Sequence, residues 1–204
     1  MTTLLITTGA TVTFTSLIEK VLSLSFINNL IDIGVSKLYL QYGNEIKKSK
    51  HISKAAFEII LEKSGIIKQL NFKVNEDTES NTYKLINFNI EIIAFPFSSN
   101  IDSYIKISDL VISHAGTGSI IDTLKYKKPL IVIVNDKLMD NHQLEIANEF
   151  VKLNYCLNEN VENVNSNEFK DILRNLIVGD VKFEEFIESD GSVLESIIAE
   201  ELGA

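Results

Sequence analysis

The chain has 204 residues, 45% hydrophobic and 23% charged, with a formal net charge of −9. That length allows one domain with a sizeable core and leaves no room for two large ones. The acidity argues against a nucleic-acid partner, whose phosphates reward clustered Lys and Arg.

The single cysteine, Cys156, cannot form an internal disulfide and points to a reducing compartment. The opening segment "MTTLLITTGA" has no basic n-region and only a short apolar core, so it does not read as a signal peptide. No apolar run approaches the roughly 18 residues that cross a bilayer. The small basic groups Lys47, Lys48, Lys50 and Lys125, Lys127, Lys128 read as solvated surface.

In chain order, short apolar β-rich runs alternate with segments of helical spacing, the pattern of βα units on a parallel sheet. A first strand over Leu4 to Thr7 ends in the loop "TTGAT", and a helix follows with Phe14, Leu17, Ile18, Val21 and Leu22 at helical spacing. "KLYLQYG" reads as a second strand stopped by Gly43, and a helix over Ser53 to Lys63 ends before Gly65. From Lys68 to Thr82 the chain is polar and aperiodic, a surface loop rather than a linker. "IEIIAFPF" is a buried strand ended by Pro96. After it come a helix from about Ser99, the strand "DLVIS", a glycine loop, and a helix from Thr117 to Tyr126. "PLIVIVN" is a strand buried on both faces, followed by "DKLMDNHQ" and a helix from Asn141 to Val151. The expected fold is α/β: an open, Rossmann-like parallel sheet with helices on both faces. Residues 1–180 form this domain, with a polar insertion at about 68–82. Residues 181–204 form a C-terminal amphipathic segment whose apolar stripe includes Phe183, Phe186, Ile187, Leu194, Ile197 and Ile198. That stripe either packs on the chain's own sheet or docks on a partner.

Two loops have the form of ligand-binding turns at the carboxyl ends of parallel strands: "TTGAT" and "SHAGTGS". Glycines let the backbone approach a ligand, and the unpaired N–H groups of a helix start attract an anion such as a diphosphate. Neither the Walker pattern nor the dinucleotide fingerprint is present. A simpler reading is a tight turn capped by Thr117 or Ser119. Asp122, in the first turns of the following helix, could accept both hydroxyls of a ribose. In "MDNHQ", Asp140, Asn141, His142 and Gln143 combine the donors and acceptors that a hydroxyl-rich ligand needs, although Asp140 alone would serve as a helix cap.

With both clusters in view, "SHAGTGSIIDTLKYKKPLIVIVNDKLMDNHQ" resembles the donor signature in the C-terminal half of GT-B glycosyltransferases, the family 28 type. The His114-to-Asp122 interval is similar to the plant-type His-to-Glu spacing, with Asp in place of Glu. Over residues 4 to 155 the chain looks closest to the small-subunit family of the two-part UDP-N-acetylglucosamine transferase of the dolichol pathway. The resemblance implies inverting transfer of GlcNAc from UDP-GlcNAc to GlcNAc-diphosphodolichol without a metal or other cofactor. By that resemblance Thr8, Gly9 and Thr11 face the diphosphate, and Gly116, Thr117, Gly118 and Ser119 hold it. Asp122 takes the ribose, Asp140, Asn141 and Gln143 take the sugar ring, and His114 lines the site as the candidate catalytic group.

The general base and acceptor groove are then expected on a separate, membrane-anchored subunit. It would recruit this cytoplasmic chain to the cytosolic face of the endoplasmic reticulum, with the C-terminal stripe as docking element. A non-catalytic sugar-nucleotide-binding module and a UDP-sugar epimerase relative are the alternatives.

Overall fold

The computed structural model describes residues 1–134 and 142–186, except the side chains of 142–144 and 146. In chain order, the first half contains β1 (Thr2–Thr7), α1 (Thr15–Val21), α2 (Leu24–Asp32), β2 (Val35–Gln41), β3 (Ile46–Lys47), β4 (Lys50–His51), α3 (Ile52–Ser64) and α4 (Ile66–Gln69). Then come β5 (Lys73–Asp77), β6 (Thr82–Ile86), β7 (Glu91–Phe95), α5 (Ile101–Ile107), β8 (Leu110–His114) and α6 (Thr117–Lys125). The chain continues with β9 (Leu130–Val134), α7 (His142–Lys152), β10 (Leu157–Asn160), a 3-10 turn (Val161–Asn165) and α8 (Asn167–Val178).

Among the described residues the main sheet has the order β10-β9-β8-β1-β2-β7-β6-β5. Every pairing from β10 to β7 is parallel, while β6 and β5 run antiparallel as an added edge hairpin. Successive residues of the central strands feed opposite faces, as the two-residue strand period requires. Leu4 and Ile6 join the cluster under α1, α2, α3 and α8, whereas Leu5 joins the cluster under α5, α6 and α7. All five residues of β9 are buried, so the sheet is covered on both sides there, in agreement with its uninterrupted apolar run.

The expected α/β architecture is the observed one, with local differences that have physical causes. α1 is the expected first helix, and a second helix, α2, follows it directly: the Ser23 hydroxyl caps α2 by accepting from Phe26 N at 3.2 Å. The 68–82 stretch is not a loop. It contains β5 and the turn into β6, and every residue of β5 is exposed, so an edge strand solvated on both faces shows no hydrophobic alternation. Its turn is built locally, with Asp77 Oδ1 accepting from Glu79 N and Oδ2 from the Ser80 hydroxyl at 2.7 Å. Tyr83 fastens the hairpin to α3 by donating to Glu58 at 2.5 Å. β10 and α8 were not anticipated from the sequence. α8 is capped by Ser166, which accepts from Phe169 N at 3.0 Å, and it buries Phe169, Leu173 and Leu176.

Residues 181–186 return across the sheet. Glu184 N donates to Asn154 O at 2.9 Å, Lys127 pairs with Glu185, and Phe186 meets Tyr155 edge-on at 5.5 Å. Phe183 and Phe186 are half-buried on the chain's own two clusters. Of the two readings of the stripe, packing on the chain's own sheet is the one these two residues adopt, beside Pro129 and Tyr155. Ile187, Leu194, Ile197 and Ile198 lie outside the described residues. No helix among the described residues is long and apolar enough to cross a membrane.

Candidate functional site

The sheet reverses its direction of winding at β1. From β1 the chain moves to β2 and β7 on one side, then returns to place β8 on the other side. The loop after β1 therefore leads to a helix on one face, and the loop after β8 to a helix on the opposite face. Diverging loops leave a crevice at the carboxyl edge, where ligands bind in such sheets. The two strand ends are locked by side chains: Thr7 Oγ1 donates to Ser113 Oγ at 3.0 Å, and the Ser113 hydroxyl donates to His114 O at 2.9 Å.

A crevice of about 400 Å³ opens there, large enough for much of a nucleotide sugar. Of the residues singled out in the sequence, Gly9, His114, Gly116, Gly118, Ser119 and Asp122 line it. Gly116 is the N-cap of α6 and has no side chain to offer, so the helix start is uncapped by any side-chain hydrogen bond. The first intrahelical bond is from Ile120 N to Gly116 O, at 3.1 Å. The N–H groups of Thr117, Gly118 and Ser119 thus precede the helical ladder, at the positive end of the helix dipole. The alternative of a turn capped by Thr117 or Ser119 is not what forms.

The glycines have two different reasons. A Cβ on Gly116 would lie 2.4 Å from His114 Nε2, and one on Gly9, whose φ is +83°, would lie 3.0 Å from the same atom. Both residues make room for the imidazole. Gly118 differs, because a Cβ there would meet nothing within 4 Å. No neighbour in the fold requires that glycine, and it faces the crevice.

Burial pushes His114 down to about pKa 4, an effect that the Thr7 backbone opposes only in part. The ring is therefore neutral at physiological pH, and its buried Nδ1 has no hydrogen-bond partner among the described residues. Asp122 behaves oppositely: partial burial raises its carboxyl above the usual range, and the nearby Asp102 adds to the rise while Lys125 opposes it. Asp102 itself accepts from the Tyr126 hydroxyl at 3.0 Å. A half-buried carboxylate at the crevice wall is a strong acceptor for a pair of hydroxyls.

Other expected residues fall elsewhere. Thr8 is buried, and its hydroxyl donates to Gln41 O at 2.9 Å. It ties the loop to β2 and presents nothing to a ligand, a correction caused by the close approach of β1 and β2. Thr11 is exposed farther along the same loop, and neither it nor Thr117 lines the crevice. Asp140 and Asn141 lie outside the described residues. Gln143 is on α7, with its side chain outside the description.

Sequence reasoning missed the opposite wall, formed by Gln41 at the end of β2 and by Phe97, Ser98 and Ser99 after β7. One signal was available: Pro96 ends a parallel strand, so its loop must open on the same edge as the other two.

A second cluster braces the β1 loop from below. Glu45 accepts from Thr13 N at 2.9 Å and from Thr13 Oγ1 at 2.7 Å, and it pairs with Lys47 at 2.5 Å. The Lys47 ammonium and the two Thr13 donors hold the Glu45 carboxyl down at about pKa 2. Buried Ser53 completes the brace, 2.8 Å from Thr13 Oγ1.

Comparison with known proteins bears on the family and the fold. The family model described as the glycosyltransferase family 28 C-terminal domain matches residues 3–178. A Candida albicans protein named UDP-N-acetylglucosamine transferase subunit ALG13 is 49% identical, over 99% of this chain and 74% of that protein. The solution structure of an ALG13 superposes with a TM-score of 0.64 at 30% identity, covering 97% of this chain and 95% of the other. Acinetobacter baumannii MurG superposes with a TM-score of 0.60 at 13% identity, and there 99% of this chain covers 50% of the other, a likeness of fold. The chain belongs to the glycosyltransferase family 28 C-terminal domain family, among the ALG13 subunits.

Proposed function

We propose that this chain is the donor-binding catalytic subunit of an inverting UDP-GlcNAc transferase that adds the second GlcNAc to GlcNAc-diphosphodolichol. The observation that carries this reading is the uncapped start of α6 with open space over Gly118, inside a crevice that also contains Asp122. In this reading the diphosphate sits on the N–H groups of residues 117–119, and Asp122 accepts from the ribose hydroxyls. Asp140, Asn141 and Gln143 hold the sugar. The acceptor hydroxyl attacks the anomeric carbon as its bond to the diphosphate oxygen breaks. Negative charge then grows on the departing UDP, where fixed N–H dipoles stabilise it most.

His114, neutral and boxed between two glycines, orders the two loops; a proton-accepting group for the acceptor hydroxyl belongs to the second subunit. That the C. albicans relative is named a subunit supports a two-chain enzyme. The companion would be membrane-anchored and would hold this chain, otherwise cytoplasmic, on the cytosolic face of the endoplasmic reticulum, with part of residues 187–204 as the docking segment.

The test is transfer of radiolabelled GlcNAc to a lipid acceptor, with and without the co-expressed companion. Transfer only with both chains present is expected. UDP binding without transfer in the complete pair would favour a non-catalytic module and overturn the proposal.

A further inference from the structure

The two-stranded hairpin β3–β4 has no role in the crevice and little in the core, yet it is rigidly placed. Asn44 N donates to Ala10 O at 2.8 Å, Ile52 N donates to Glu45 O at 2.8 Å, and the Glu45 carboxylate holds Thr13. The hairpin thus stands on the β1 loop, beside the crevice at the carboxyl edge. Lys48 and Ser49 at its tip have φ of 49° and 62°, so the turn has left-handed backbone at both central residues. Neither residue is a glycine.

The side chains on this hairpin conflict with its stability. Lys47 and Lys50 are directly paired across the two strands, where like charges repel. Ile46 is 60% exposed, and Lys47, Lys48 and Lys50 are all exposed. Lys47 is answered by Glu45, but Lys48 and Lys50 make no ion pair among the described residues. A chain of net charge −9 here concentrates three lysines in four positions next to an exposed isoleucine. Val12, 44% exposed on the loop that the hairpin braces, extends the apolar surface. The like-charge pair and the two lysines without an ion pair, Lys48 and Lys50, are local conflicts of the kind that mark a functional contact.

We propose that the β3–β4 hairpin is a contact for an anionic lipid surface, with Lys48 and Lys50 against lipid phosphates and Ile46 at headgroup level. The complementarity is of charge and form: a compact basic tip with one apolar side chain, on an otherwise acidic molecule, meets a negative interface at low area. The contact turns the carboxyl edge, and the crevice with it, toward the bilayer. It stands independently of the transfer reading, because it needs neither donor nor companion chain. Each lysine near such a surface contributes roughly fivefold in binding, and the chain's net charge opposes this, so the contact is weak and salt-sensitive.

The experiment is co-sedimentation of the full chain, without donor or partner, with phosphatidylcholine vesicles lacking or containing phosphatidylserine. Binding to the phosphatidylserine vesicles at low salt is expected, falling about 25-fold in K48Q/K50Q and more modestly in Ile46→Ser. UDP binding, measured in parallel, should not change, since neither lysine lines the crevice. Equal binding to both vesicle types, no binding at low salt, or full binding by K48Q/K50Q would each overturn the proposal. So would a K48Q/K50Q chain that fails only to co-purify with a protein partner, which would assign the hairpin to that partner.

Discussion

The His114 imidazole occupies the volume that a side chain at Gly116 would need: a Cβ there would lie 2.4 Å from Nε2. The pair couples the end of β8 to the start of α6, and Gly9 closes the box from the β1 loop. Gly116→Ala should therefore destabilise the protein by about 1–3 kcal/mol, the usual cost of overpacking. His114→Ala in the same chain should recover most of the loss if the clash is the cause. Denaturant unfolding of the two single variants and the double variant measures the coupling. An additive double variant would refute the wedge.

Gly118 should behave in the opposite way. With nothing within 4 Å of its missing Cβ, Gly118→Ala should leave stability unchanged or raise it by up to about 1 kcal/mol, because alanine favours the helix. UDP affinity should fall roughly tenfold, since the methyl group intrudes where the ligand is proposed to sit. Calorimetric titration with UDP separates the two effects, and unaltered affinity would remove the diphosphate from this helix start.

Asp122→Asn should weaken donor binding by roughly ten- to a hundredfold, the loss expected for hydrogen bonds to a charged acceptor. The same change should not harm the unliganded fold. A carboxyl whose pKa is raised on folding holds its proton more tightly in the native state. Native stability therefore falls as pH rises through the upper carboxylate range. Asparagine removes that dependence, so the stability of Asp122→Asn relative to wild type should increase as pH rises through this range.

His114 gives the reverse slope. Its folded pKa of about 4 lies below the ordinary 6.5, so between those values the unfolded chain binds the extra proton. Stability from this group is present above pH 6.5 and is lost as pH falls toward 4. Proton NMR of the ring should show no titration near neutrality. A midpoint near 6.5 would mean that the ring is solvated and the two loops are open.

Glu45 braces the β1 loop, and its folded pKa of about 2 lies below 4.5. Its contribution is complete above pH 4.5 and is lost as pH drops toward 2. Glu45→Gln should cost about 2 kcal/mol, because the amide cannot accept from Thr13 and Lys47 in the same way. With the loop less ordered, UDP affinity should also fall. Loss of stability with unaltered UDP affinity would show that the brace serves the fold alone.

Much of this was legible in the one-dimensional pattern. The parallel strands announced themselves as buried runs at β1, β2, β7, β8 and β9, and the helix start at Thr117 followed from a glycine turn leading into helical spacing. Gly65 ends α3 in left-handed backbone, as a glycine after a helix suggests. The edge hairpin was hidden because β5 is solvated on both faces, and a strand without a buried face has no alternation to read. β10 is short and none of its residues is fully buried, so it too carried little periodic signal.

Local pattern alone was enough for the buried parallel strands β1, β2, β7, β8 and β9, for the start of α6 and for the cluster of small and polar residues between Ser113 and Asp122. Those features depend on spacing and backbone preference within a dozen residues. Three features came from the assembled sheet: the bond from Thr7 to Ser113, 106 positions away, the inward turn of Thr8 to Gln41, and the crevice wall formed by the segment after Pro96. Such pairings follow from strand order, which is set by how all the apolar faces are buried together and by no local stretch. His114 shows the difference most directly: its place was visible in the loop, but its burial between two glycines on separate strand ends came from the reversal of winding at β1.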